Sequence, residues 1–66
     1  MEITVNGQTQ PIAEGATVAQ LLEQLHLVAR PVAVEVNLQL IPGAQHDQHH
    51  LADGDRLEIV TLVGGG

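Results

Sequence analysis

Apolar and polar residues alternate from the start of the chain. Ile3 and Val5 are interleaved with Glu2, Thr4 and Asn6, a period of two that marks a half-buried strand. Asn6-Gly7 follows at once and readily supplies the two positive φ angles of a type I′ hairpin turn. A second strand is predicted from about Gln8 to Ile12, with Pro11 pointing to a sheet edge. After a turn at Glu14-Gly15-Ala16, the period changes. Val18, Leu21, Leu22 and Leu25 form one apolar helical stripe. Thr17 reads as its N-cap, with Gln20 completing a capping box. The helix is expected to fade near Leu27 and to be over before Pro31.

The period of two then returns. Val32, Val34 and Val36 alternate with Ala33, Glu35 and Asn37, the clearest strand of the chain. Asn37 starts a turn into a short apolar piece, Leu38 to Ile41, which Pro42-Gly43 ends. Ala44 to His50 reads as a polar loop, Leu51 as a return to the core, and Asp53-Gly54-Asp55 as a turn. A last strand is predicted from about Arg56 to Leu62. Leu57 and Ile59 share one face, and Glu58, Val60 and Leu62 the other.

These one-sided elements bury their apolar faces only against each other. The economical arrangement is α+β: a small mixed sheet of four to five strands with one helix packed across one face. The helical connection between the second and third strands suggests a right-handed crossover and parallel pairing among the central strands. Residues 1–62 are expected to form the domain, and 63–66 a flexible C-terminal glycine tail.

Length and charge narrow the function. A chain of 66 residues has a thin core and little room for an enclosed active-site cavity, which argues against a self-contained enzyme. The formal charge is −6, from eight carboxylates against Arg30 and Arg56, with no lysine and no aromatic residue. That composition excludes a phosphate track and base-stacking platforms, so no nucleic-acid partner is expected. It suits partners with basic docking surfaces. The absence of cysteine excludes disulfides, thiolate zinc sites and a cysteine nucleophile. The N-terminus lacks the pattern of a signal peptide, and no apolar run approaches the ~20 residues of a membrane span. A cytoplasmic protein with no membrane partner is expected.

Two constellations invite chemistry and have plainer readings. His46, His49 and His50 would converge on a metal only in a helix, and no helix signal surrounds them. A solvated loop is expected there, without a metal. Asp53 and Asp55, separated by Gly54, read as turn residues rather than an acid/base pair.

Val63-Gly64-Gly65-Gly66 is the remaining oddity. Glycine loses the most backbone entropy on ordering and adds nothing to a core. Such an end is either a frayed or linker segment or the working part of the molecule.

Taken in order, these features resemble the β-grasp, ubiquitin-like proteins, and more closely the ThiS family of sulfur carriers from the thiamin pathway. The resemblance is carried by the Asn6-Gly7 turn, Gly15 to Leu22, Val32 to Asn37, Ile41-Pro42, Leu51 to Asp55, and Leu57 to Val60 leading into Val63 to Gly66. There are departures. Gly43 stands where members often carry a basic residue, and His46 to His50 replace a loop that often holds an aromatic.

The resemblance implies a β-grasp fold and a carrier that catalyses nothing itself. It implies that the Gly66 carboxylate is adenylated by a ThiF-like enzyme, which uses ATP; the carrier holds no permanent cofactor. A sulfur donor such as a cysteine desulfurase then supports conversion to a thiocarboxylate, which gives its sulfur to a ThiG-like thiazole synthase. Gly64 and Gly65, without Cβ atoms, would thread a narrow channel. Val60, Leu62 and Val63 would dock the partners, with Leu40 as a further candidate on the same face. A molybdopterin-synthase-type sulfur carrier is the alternative within this chemistry. A ubiquitin-like modifier joined through Gly66, or a plain interaction module, are alternatives from other classes.

Overall fold

The computed structural model describes residues 1–62. Val63, Gly64, Gly65 and Gly66, and with them the expected tail, lie outside the described residues. The elements are β1 (Glu2–Val5), β2 (Gln8–Pro11), α1 (Val18–Gln24), β3 (Val32–Val36), β4 (Gln39–Ile41) and β5 (Arg56–Thr61). A short 3₁₀ turn, Gly43–Gln45, lies between β4 and β5. The strands form one sheet in the order β2-β1-β5-β3-β4.

Both hairpins turn on asparagine. Asn6 and Gly7 have φ angles of 50° and 83°, and Asn37 and Leu38 have 51° and 70°. Each pair is a two-residue loop with both φ positive, as a type I′ turn requires. The hairpin strands are antiparallel, Val5 opposite Gln8 and Val36 opposite Gln39. β2 is an edge strand, as Pro11 suggested.

β5 closes the sheet between the hairpins, parallel to β1 and antiparallel to β3. The parallel pair is therefore β1–β5, and α1 does not join neighbours. β2 and β3, which it connects, stand two strands apart. The parallel pairing expected among the central strands is thus the β1–β5 pair, and β2 and β3 run in the same direction, so the helical connection crosses over both β1 and β5.

α1 packs on one face. Val18, Leu21 and Leu22 are buried with Ile3, Val5, Val34, Val36, Leu57 and Ile59 in a single core. Leu25 and Leu27 are partly buried against it. At about 1.5–3 kcal/mol for each fully buried aliphatic side chain, this cluster is the main stabilising term. Thr17 caps α1 as expected: the Gln20 N–H donates to its hydroxyl, and the Thr17 N–H donates to the Gln20 side chain. The helix ends at Gln24, earlier than the stripe suggests. His26 takes a left-handed φ of 61°. The His26 N–H donates to the Glu23 carbonyl and the Leu27 N–H to the Leu22 carbonyl, at 3.0 and 2.8 Å. This is a Schellman ending with histidine where glycine usually stands.

The loop from Ala44 to His50 departs from expectation. Its backbone is tied to the start of α1. Val18 N–H donates to the His49 carbonyl at 3.0 Å and Ala19 N–H to the His46 carbonyl at 2.9 Å. With Gln20 on the Thr17 hydroxyl, the helix N–H groups that lack an intrahelical partner are satisfied.

Candidate functional site

β5 leads towards Val63, so whatever fixes β5 fixes the origin of the last residues. Two polar side chains do this from outside the strand, and a third orients one of them. Asn6 Nδ2 donates to the Ile59 carbonyl at 3.0 Å, and the Ile59 N–H donates back to Asn6 Oδ1 at 2.9 Å. The Arg56 N–H donates to Asn37 Oδ1 at 3.0 Å. Asn37 Nδ2 donates in turn to Asp55 Oδ1, also at 3.0 Å. Beyond the strand, the Leu62 N–H donates to the Pro31 carbonyl at 2.8 Å. The backbone is thus held up to the last described residue.

The turn aspartates are structural, as read from the sequence. Asp53 Oδ1 accepts from the Glu2 N–H, and Asp55 Oδ2 from the Ala52 N–H, both at 2.8 Å. Gly54 between them has φ 85°.

The sheet face away from α1 is open. Val60 and Leu62 are 56% and 52% exposed, and Leu40 is 61% exposed. Val60 stands opposite Ala33; Glu58 stands opposite Glu35, which in turn faces Leu40 on β4. The face therefore has an apolar end nearest the chain's last residues and an acidic middle. Towards the hairpin turns an open groove of about 660 Å³ runs past Thr4, Gly7, Glu35, Leu38, Arg56 and Glu58. This is not the enclosed cavity that so small a domain has little room for. It opens on the surface because the sheet has only one covered face.

The histidines do not gather. Among the described residues no three His, Asp or Glu side chains are placed to hold a metal ion. His46 Nε2 carries a proton to the Ile41 carbonyl at 3.0 Å, and His50 Nδ1 one to the Gly15 carbonyl at 2.9 Å. Carbonyls only accept, so each of these ring nitrogens is a donor. No described helix is long and apolar enough to cross a membrane.

The chain and its fold are matched in known proteins. A model of the ThiS family fits residues 3–66. The chain belongs to the ThiS family. It is 38% identical to the sulfur carrier protein ThiS of Escherichia coli (strain K12), with 100% of both chains covered. A crystal structure of thiamine biosynthesis protein ThiS from Geobacter metallireducens superposes with a TM-score of 0.82 at 36% identity, covering 100% of both chains. The fold is thus the β-grasp of ThiS proteins. The chain is also 41% identical, over its full length, to the thiazole synthase of Paramagnetospirillum magneticum, of which it spans 20%.

Sequence reasoning about the ThiS-like site missed Asn6 and Asn37 as clamps of β5, and Asp55 as the group that orients Asn37. It also missed the left-handed Leu38. The signal for Leu38 was present: a two-residue link between alternating strands demands positive φ at both positions.

Proposed function

We propose that this chain is a sulfur carrier for formation of the thiazole part of thiamin. The observation that carries the reading is the match to a sulfur carrier protein, 38% identical with 100% of both chains covered. Gly66 is the residue that carries the sulfur. A carboxylate resists sulfur nucleophiles until one of its oxygens becomes part of a good leaving group. A ThiF-like enzyme supplies this by adenylating Gly66 with ATP, releasing pyrophosphate. A persulfide formed from cysteine by a donor such as a cysteine desulfurase then displaces AMP, and a thiol cleaves the resulting acyl disulfide, leaving the thiocarboxylate and a disulfide. A ThiG-like thiazole synthase takes up the sulfur; the matching thiazole synthases support a partner of that kind.

In this reading the chain is a substrate of its partners and not itself an enzyme, and it works in the cytoplasm. Residues 1–62 are the handle and 63–66 the part that is threaded. Gly64 and Gly65 pass a channel too narrow for a Cβ. Val60 and Leu62, both more than half exposed, dock at its mouth together with Val63.

The test is an intact mass after incubation with ATP, a cysteine-derived sulfur source and the adenylating enzyme of the same genome. The expected product is heavier by the difference between sulfur and oxygen, and is absent when Gly66 is deleted. An unchanged mass, under conditions that convert a known carrier, would overturn the proposal.

A further inference from the structure

Two local choices at the turn end of the open face work against the stability of the free protein. Leu38 holds φ at 70°, a left-handed conformation that crowds any Cβ and is an outlier for a bulky residue. Its side chain gains no burial in return, being 90% exposed. The other hairpin places glycine at the same turn position, Gly7 with φ 83°. The second choice is on the adjoining strands. Glu35 and Glu58 stand directly opposite each other, and like charges in that register repel.

Both choices line one groove, with Leu38 at its side and Glu35 and Glu58 among its walls. Leu40, opposite Glu35 on β4, extends the row across three strands. Arg56 lines the groove too, but two residues along β5 from Glu58 rather than across the pair; local rules broken together beside it mark a site completed by a partner. Paired carboxylates are compensated by a cation, and an exposed leucine by an apolar neighbour. Arginine fits both requirements, because its planar fork meets two carboxylates while its methylenes lie on aliphatic surface.

We infer that the groove seats an arginine flanked by apolar residues on the adenylating partner. The guanidinium sits between Glu35 and Glu58, and the partner's apolar residues pack on Leu38 and Leu40. The inference rests on the carrier reading. It extends the docking surface from Val60 and Leu62 to the opposite end of the open face.

Leu38→Gly, Glu58→Gln and the double variant Glu35→Gln/Glu58→Gln test it. In the free protein each leaves Tm unchanged or raises it, because each removes a local conflict. In the adenylation reaction each raises KM, about tenfold for the double variant, with kcat unchanged. Added salt raises the wild-type KM more steeply than that of the double variant. An unchanged KM in the double variant overturns the inference, as does a loss of Tm that accounts for the rise. A second measurement needs no enzyme. A Leu-Arg-Leu amide titrated into the nitrogen-15-labelled chain shifts the backbone amides of Glu35, Leu38 and Glu58, and its citrulline counterpart does not. Equal shifts from both peptides, or none from either, overturn the groove assignment. A chain that takes up the arginine peptide but is converted by no adenylating enzyme loses the carrier reading and keeps the groove.

Discussion

Asn6 and Ile59 exchange two hydrogen bonds, the side-chain amide of one pairing with both backbone polar groups of the other. The asparagine side chain thereby extends the parallel β1–β5 ladder beyond its backbone register of Thr4 with Arg56 and Val5 with Leu57. It also ties the first hairpin turn to the strand that leads out towards Val63.

Asn6→Ala removes both bonds and a residue that tolerates φ 50°. The part-buried Ile59 groups lose their partners, at about 1–3 kcal/mol. Urea unfolding should report a loss in that range. A loss below a few tenths of a kcal/mol would mean that water replaces the amide without cost.

His26→Gly should act in the opposite direction. Histidine at φ 61° carries a left-handed penalty of about 1–2 kcal/mol. Glycine escapes it but loses about 0.4–1 kcal/mol through the greater freedom of the unfolded chain. The expected net gain lies between zero and about 1.6 kcal/mol, read as a higher midpoint in urea with an unchanged slope.

Leu21→Ala tests the core. Leu21 is 0% exposed, on the buried stripe of a helix of only seven residues. Truncation costs about 2–5 kcal/mol, a large share of the stability of a domain this size. Thermal melting should show a much lower Tm or no folded baseline. A shift of only one or two degrees would place Leu21 outside the core.

Val60→Thr/Leu62→Thr separates docking from folding. Both side chains are more than half exposed, so stability should change by no more than about 0.5 kcal/mol per site. If they dock the adenylating partner, the KM for adenylation rises severalfold with kcat preserved. An unchanged KM would remove them from the interface.

The parts of this fold set by near neighbours were legible in the sequence. Asn6-Gly7 announced its own turn, Thr17 and Gln20 their capping box, and the alternations at Ile3, Val34 and Leu57 their buried faces. Features that depend on distant partners were not. The end of α1 is set by a left-handed His26 without the usual glycine. The loop of His46 and His49 looks solvated in sequence, yet its carbonyls complete the helix start, a contact between segments some thirty residues apart. The parallel β1–β5 pairing follows from β5 entering between two finished hairpins. In the candidate site, exposure of Val60 and Leu62 followed from strand alternation alone. The opposition of Glu35 and Glu58 required the register, which no local pattern contains.

That sheet order has a consequence for how the protein is made. β5 follows both hairpins in the chain yet separates them in space. A ribosome that has extruded residues only as far as Asp55 has released two hairpins and a helix with no common sheet. The central seam must then be completed by the segment emerging last. Assembly of the sheet and extrusion of its central strand are therefore the same event. A nascent chain held with β5 inside the exit tunnel should remain protease-sensitive throughout, and become resistant in one step once Thr61 is free.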